Sequence, residues 1–402
     1  MRRHNLALVL RLLHEHGPRS RAQVAAETGL TKATVSSLVA DLAARGLVRD
    51  AGTLAARTGR PGTLVEIDGR AVASVGIELN VDYVVLQVND LAGRVIQRRQ
   101  RAIDARRSEE GAAKVIVSAA RQAVAAASRA GATIVGVTLG VPGVVDQPTG
   151  TLRFAPNLGW RDVPLGSMLE GALGGGVPVH VDNDCNLGAF AELRAGGHNG
   201  VRNLVYLAGE MGVGAGIVID GHVLRGRAGF AGEVGHMALE RNGTRCGCGA
   251  TGCLETVVGL ERLLRSALPD VAEEVLASRM HPEAKLRLVT DRARAGDGRS
   301  LEALDELGAW LGLGIASLVA LFDPEVVVLA GFYPSVGSWV QPVVERTVRA
   351  RALTPDPVGC RIVCSRLGYS AAALGGALHS MSRVFDDPTV VPLSLSLAKE
   401  LS

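Results

Sequence analysis

The chain has 402 residues, 47% hydrophobic, 21% charged and 3% aromatic, with a mean hydropathy of +0.22. That supplies a sizeable core built mainly from Val, Leu, Ile and Ala, suggests two or three domains, and excludes a disordered, collagen-like or small disulfide-stapled chain. Net charge is +3, but residues 1–70 hold eleven Lys or Arg against six acids, so the front carries +5 and the remainder −2; the partner-seeking basic surface is N-terminal.

No uninterrupted apolar run reaches the roughly 18 residues of a spanning helix. The nearest, Trp310 to Phe322, contains two glycines and stops at Asp323-Pro324. Met1-Arg2-Arg3 resembles the start of a signal segment, but Arg11, His14, Glu15 and His16 break the run that follows, so the expected location is the cytoplasm. Three of six cysteines fall within Cys246 to Cys253, which points to a reducing compartment and a local metal site.

Leu6, Val9, Leu10 and Leu13 form one helical stripe ending at Gly17-Pro18. Ser20 and Gln23 make a capping box for a short helix Arg21–Thr28 that stops at Gly29, and Thr31 opens a third helix with the stripe Val35, Leu38, Val39 and Leu42. Two short helices joined by a glycine turn are a helix-turn-helix, whose second helix presents Lys32, Thr34, Ser36 and Ser37 to a major groove of double-stranded DNA. Strands at Gly46–Val48 and Leu64–Ile67 flank a basic wing tip bearing Arg57 and Arg60, suited to phosphates or a minor groove. The alternative is a three-helix packing module with an exposed basic loop; the charge and the wing disfavour it.

From Val72 the pattern becomes α/β: strands Val72–Leu79, Tyr83–Asn89 and Val95–Arg99, a helix from Glu109 to Ala130, then strands Thr133–Leu139 and Val177–Val181. The order returns with strands Asn203–Ala208, Gly214–Ile219 and His222–Leu224, a helical region over 256–322, strand Val326–Leu329, a helix over 340–351 and strand Arg361–Cys364. This duplication predicts two lobes with a ligand cleft between them, as in the actin-like, sugar-kinase (RNase H-like) architecture. The expected domains are a winged helix-turn-helix at 1–70, a two-lobed body at 71–385 (lobes 71–190 and 191–385) and a tail at 386–402 with no assignable chemistry.

His236, Cys246, Cys248 and Cys253 are four borderline or soft donors without an acid, the set for a closed, structural tetrahedral Zn²⁺; Gly247, Gly249 and Gly252 let the loop bend around it. Cys185, Cys360 and Cys364 read as plain buried residues.

Gly212-Val-Gly-Ala-Gly216, Gly232-Glu233-Val234-Gly235-His236, the cysteine motif running into Leu254-Glu255, and Asp182-Asn183-Asp184 together closely resemble the ROK family of sugar kinases and sugar-responsive repressors, over roughly residues 72–380. The winged front resembles the regulator branch. The resemblance implies that Asn157, Asn183, Asp184, Glu233, His236 and Glu255 bind sugar hydroxyls, and that His236 ligates zinc through one nitrogen while facing the sugar with the other. It also implies that Asp184 occupies the position of the kinases' catalytic base, here vestigial. Carboxylates and amides suit that task because they offer several acceptors in a plane.

Where the family's kinases carry Asp-x-Gly-Gly-Thr for phosphate, this chain has Glu78-Leu79-Asn80-Val81-Asp82, so Val81 is expected to fill the space and Asp82 to repel the anion. The expected function is therefore a repressor, a homodimer or homotetramer, whose operator affinity changes when a sugar or sugar phosphate enters the cleft. The alternatives are an ATP-dependent sugar kinase with an appended DNA-binding domain, and a regulator controlled by a partner protein.

Overall fold

The computed structural model describes residues 1–54, 62–278, 280–351 and 359–393. The front comprises α1 (Arg2–His16), β1 (Arg19–Ser20), α2 (Arg21–Thr28), α3 (Lys32–Ala44), β2 (Val48–Leu54) and β3 (Gly62–Ile67). The expected stripes of α1 and α3 are buried against each other, and the Ser20–Gln23 capping box forms, with Ser20 N donating to Gln23 Oε1 at 2.8 Å. Gly29 takes φ 72°, the left-handed turn that lets α3 leave α2 at an angle. A strand unforeseen in the sequence, β1, pairs with β3 and makes the wing sheet three-stranded, in the order β1-β3-β2. The expected wing tip, with Arg57 and Arg60, lies outside the described residues.

The first half of the body runs β4 (Val72–Leu79), β5 (Tyr83–Asp90), β6 (Val95–Ala102), α4 (Glu109–Arg129), β7 (Thr133–Val141), β8 (Val144–Asp146), β9 (Thr151–Ala155), β10 (Trp160–Val163), α5 (Leu165–Leu173), β11 (Val179–Asn183) and α6 (Asp184–Ala195). The second runs β12 (Leu204–Gly209), β13 (Val213–Ile219), β14 (His222–Val223), α7 (Glu255–Val258), α8 (Leu260–Ala267), α9 (Ala272–Ala277), α10 (Pro282–Arg294), α11 (Gly298–Phe322), β15 (Val326–Gly331), α12 (Tyr333–Arg351), β16 (Arg361–Cys364) and α13 (Ala371–Asp386). The apolar helix α11 is a core helix: Leu304, Leu307, Leu311, Ile315 and Leu318 are buried within the second lobe.

The two main sheets are ordered β11-β7-β4-β5-β6 and β16-β15-β12-β13-β14. By position within each half, both read fifth, fourth, first, second, third, so the repeat seen in the strand pattern is a repeat of topology. The small sheet β8-β9-β10 is an insertion in the first half that the strand pattern did not reveal.

The expected lobe boundaries need correction. Helix α13, assigned by position to the second lobe, packs on β4 and β7 of the first lobe's sheet, while α6 packs on β12 and β13 of the second. The last helix of each half is thus exchanged, and the two lie against each other. Glycines permit the approach: a Cβ on Gly76 would stand 1.8 Å from the Ala373 carbonyl, and one on Gly375 would stand 1.9 Å from the Leu187 carbonyl. Residues 386–393 are likewise no free tail. Val391 is buried with Met381, Val384 and the α1 stripe in one cluster, so the body's C-terminal segment docks on the head. Cys185 is buried as expected, whereas Cys360 and Cys364 are only partly so.

Candidate functional site

The cleft between the lobes is lined by the ends of β4, β11 and β12 and by the first turns of α6 and α13. All six expected sugar-binding residues line it: Asn157, Asn183, Asp184, Glu233, His236 and Glu255. Asn183 caps α6, its Oδ1 accepting from Asn186 N at 3.1 Å, and its Nδ2 donates to the Gly143 carbonyl at 3.0 Å. One amide hydrogen and one oxygen lone pair remain for a ligand. Asp184 accepts from Cys185 N at 2.8 Å, and burial raises its pKa above the usual carboxylate range. Neighbouring Asp182 faces away from the cleft; burial pushes its carboxyl up, but the His180 and Arg225 partners overcome this and hold it at about 2.

Glu255 Oε2 accepts from Val213 N at 2.8 Å, which ties the start of α7 to the glycine hairpin β12–β13. Gly212 sits between the lobes' side chains: a Cβ there would stand 2.3 Å from Asn157 Nδ2 and 2.6 Å from Glu255 Oε2. The glycine run therefore serves close packing at the lobe interface. Burial also raises Glu233, against the pull of His236.

The expected metal donors converge. One ligand atom from each of His236, Cys246, Cys248 and Cys253 lies within 4.8 Å of every other. Sγ of Cys248 and Cys253 are 3.8 Å apart, and His236 Nδ1 is 3.7 Å from Cys246 Sγ. A tetrahedral ion with metal–sulfur bonds of about 2.3 Å has ligand–ligand edges of about 3.8 Å. His236 Nε2 points the other way, 3.8 Å from Glu233 Oε2.

At the opposite end of the cleft an acid does face the space, but it is a different residue from the one expected. Val81 lines the cleft, whereas Asp82, next on the bend between β4 and β5, turns out toward Arg106, 3.8 Å away. The acid that enters is Glu210, between β12 and β13, which no sequence motif marked. Tyr83 Oη donates to Glu210 Oε2 at 2.8 Å, and Asn80 Nδ2 also donates to that oxygen. Tyr83 Oη lies 3.1 Å from Glu78 Oε1 as well. One hydroxyl has a single hydrogen, so the chain Glu210–Tyr83–Glu78 closes only when Glu78 is protonated and donates to the tyrosine oxygen. Burial accordingly lifts Glu78 far above the carboxylate range, with Glu210 and Asp184 adding to the effect. Burial and the Asp184 charge lift Glu210 to about 8, against the Tyr83 and Asn80 hydrogen bonds.

The ROK family pattern matches residues 74–381, most of the chain. The chain belongs to the ROK family. A MarR family pattern matches residues 7–57, the helices and first wing strand of the head. The putative xylose repressor of Caldicellulosiruptor sp. (strain Rt8B.4) is 34% identical over 392 residues, covering 96% of this chain and 98% of the relative. Among solved structures, a ROK family transcriptional regulator described as a homolog of the E. coli MLC protein superposes with a TM-score of 0.77 at 26% identity, covering 96% of this chain and 97% of that one. A ROK family glucokinase from Streptomyces griseus, in complex with glucose and AMPPNP, superposes at 0.65 with 30% identity, covering 76% of this chain and 98% of the kinase.

In the head of this ROK protein, Lys32, Ser36 and Ser37 are exposed on α3 and Thr34 is half-exposed. Thr34 Oγ1 shares a hydrogen bond with Thr31 Oγ1 at 2.9 Å, Ser36 Oγ donates to the Lys32 carbonyl at 2.9 Å, and Ser37 Oγ accepts from Arg2 Nη1 at 3.3 Å. Each hydroxyl on the expected reading face thus already has a local partner.

Proposed function

We infer that this ROK protein is a DNA-binding transcriptional repressor whose operator affinity changes when a sugar occupies the cleft. The observation that carries the reading is continuity: one helix, α13, lines the hydroxyl-binding cleft with Ala371 and Ala372 and packs against the winged head with Met381 and Val384. Sixteen residues at about 1.5 Å each make a rigid rod of about 24 Å. A ligand that favours one lobe arrangement shifts the head's placement by its difference in affinity for the two states. The similarity to the xylose repressor supports a pentose or related aldose as effector. A homodimer or homotetramer in the cytoplasm would read a two-fold operator.

Zinc is the ion that the four donors fit: three thiolates and one imidazole at tetrahedral spacing, with no acid among them and no position left for water. Bound zinc would hold the Cys246–Cys253 loop, and with it Glu255, against the cleft; His236 would present Nε2 to the ligand. Kinase activity is disfavoured: Asp184 is in place, but Val81 and Glu210 crowd the region where nucleotide phosphates would need donors.

Sequencing the DNA retained by the purified full-length protein, with and without an aldose panel, tests the reading. Recovery of a discrete site that one sugar releases is expected. Loss of all DNA preference overturns it, and rapid sugar-dependent ATP turnover in a coupled assay, abolished by Asp184→Asn, would establish the kinase instead. If calorimetry shows no heat with any sugar while the metal site is full, control by a partner protein is favoured.

A further inference from the structure

We propose that the cleft selects an uncharged sugar and rejects its phosphate esters, with Glu210 as the specificity-determining residue. This deepens the sugar-responsive reading and rests on it. Three features of the cleft would ordinarily attract an anion, and each already holds one of the chain's own carboxyl groups.

The first is the N-terminus of α6, where unpaired N–H groups and the helix dipole favour negative charge. Two of its first-turn donors are taken: Cys185 N by Asp184 Oδ1 and Asn186 N by Asn183 Oδ1. The second is the N-terminus of α13, where the Ala373 N–H draws the Glu78 carboxyl down against the stronger upward push of burial. The third is the pair of side-chain donors Asn80 and Tyr83 on the first lobe, both directed at Glu210 of the second. The turn N–H groups nearby are also committed, Val81 N to Asn80 Oδ1 at 2.7 Å and Val213 N to Glu255 Oε2 at 2.8 Å.

What remains in the lining is acceptor-rich. Glu78, Asp184, Glu210, Glu233 and Glu255 all face the cleft, and among the described residues no Lys or Arg does. Glu78 Oε2 is buried without a hydrogen-bond partner. A buried acceptor of this kind is satisfied by a hydroxyl that donates, which a sugar supplies and a phosphate dianion does not. A phosphoryl group would add two negative charges to a cleft where burial, with neighbouring acids adding to it, already disfavours charge on Glu78 and Glu210. Glu210 is the residue to change: it stands alone on the β12–β13 turn, joins the lobes through side chains only, and is absent from the helix caps that hold the fold.

The test is calorimetry on the full-length protein with D-xylose, D-glucose and N-acetyl-D-glucosamine, each beside its terminal phosphate ester, and inorganic phosphate alone. The expected result is that at least one free sugar binds, its ester binds at least tenfold more weakly, and Glu210→Ala narrows that gap at least threefold. An ester that binds as tightly as its parent sugar overturns the inference while leaving the sugar reading intact. A gap that Glu210→Ala does not alter removes Glu210 as selector, with Glu210→Gln checking that the lobes still close. Binding of neither free sugars nor esters overturns the sugar reading and this inference with it.

Discussion

Arg45, at the end of α3 in the head, donates to the main-chain carbonyl of Val391, 346 residues further along the chain, and to that of Thr389 at 3.3 Å. Arg11 of α1 does the same to the Phe385 carbonyl at 3.1 Å and pairs with Asp386. The body's C-terminal segment is therefore a wall of the head's own core. Both arginines donate to carbonyls that α13 and the turn after it leave without helical partners.

Replacing both Arg11 and Arg45 by Ala should loosen this joint without touching the cleft. Charged donors to carbonyls contribute about 1.5–3 kcal/mol each when well ordered, so the head should undock more readily. Sugar affinity is expected to stay within twofold, while the change in operator affinity on adding sugar shrinks at least fivefold. Calorimetry and fluorescence anisotropy on the same preparations separate the two quantities. A full sugar response in the double variant would mean that the signal bypasses this joint.

Cys248→Ser should remove the metal and the sugar response together. Cys248 supplies one edge of the donor tetrahedron, and Glu255, two residues beyond Cys253, depends on that loop for its place at Val213 N. Metal analysis is expected to fall from about one zinc per chain to background, with sugar affinity lowered tenfold or more. Cys360→Ser, outside the cluster, should keep both. Sugar release of operator by a zinc-free Cys248→Ser protein would sever the proposed link.

The Glu210–Tyr83–Glu78 chain should make stability fall as pH rises. Glu210 in the folded protein holds its proton up to about 8, whereas an unfolded glutamate releases it near its usual 4.5. Between those values the folded state binds more protons than the unfolded one, so folding is progressively penalised from pH 4.5 to about 8 and the penalty is then constant. Glu78 acts in the same direction, and Asp184, facing both from α6, adds repulsion. Glu210→Gln should flatten the slope. Urea midpoints at pH 5.5 and 8.5 for the parent and the variant check this; parallel slopes would show that Glu210 is not the titrating group.

Local signals were legible and long-range ones were not. The Ser20–Gln23 box and the stripes of α1 and α3 each lie within a short window and formed as expected, and the side chains of His236, Cys246, Cys248 and Cys253, also close in sequence, stand together. Glu210 is a lone acid among glycines, and its partners Asn80 and Tyr83 are 130 and 127 residues away, so no spacing pattern could mark it. Asp82 was misplaced for a related reason: the motif locates the turn but leaves open which face each side chain takes. The two-residue strand β1 is too short for any periodicity. Helix α13 was not among the elements expected from the sequence, and its exchange between lobes depends on Gly76 and Gly375 meeting backbone far away in sequence.

DNA affinity should be led by phosphate neutralisation. On α3, Ser36 donates to its own helix and Ser37 accepts from Arg2, so base readout by these hydroxyls competes with partners already in place. Lys32 is exposed and, among the described residues, makes no ion pair. Removing one cation that neutralises a phosphate lowers the slope of log affinity against log salt by about 0.9. Lys32→Ala is expected to reduce the slope by about that amount, and Arg57→Ala with Arg60→Ala, the wing-tip pair expected from the sequence, by about twice as much. Ser36→Ala should change sequence preference by less than the roughly 1–3 kcal/mol of a good bidentate base pairing. Anisotropy titrations of one operator and one scrambled duplex across a salt series read all three. An unchanged slope in the triple basic variant would place the DNA on another face of the head.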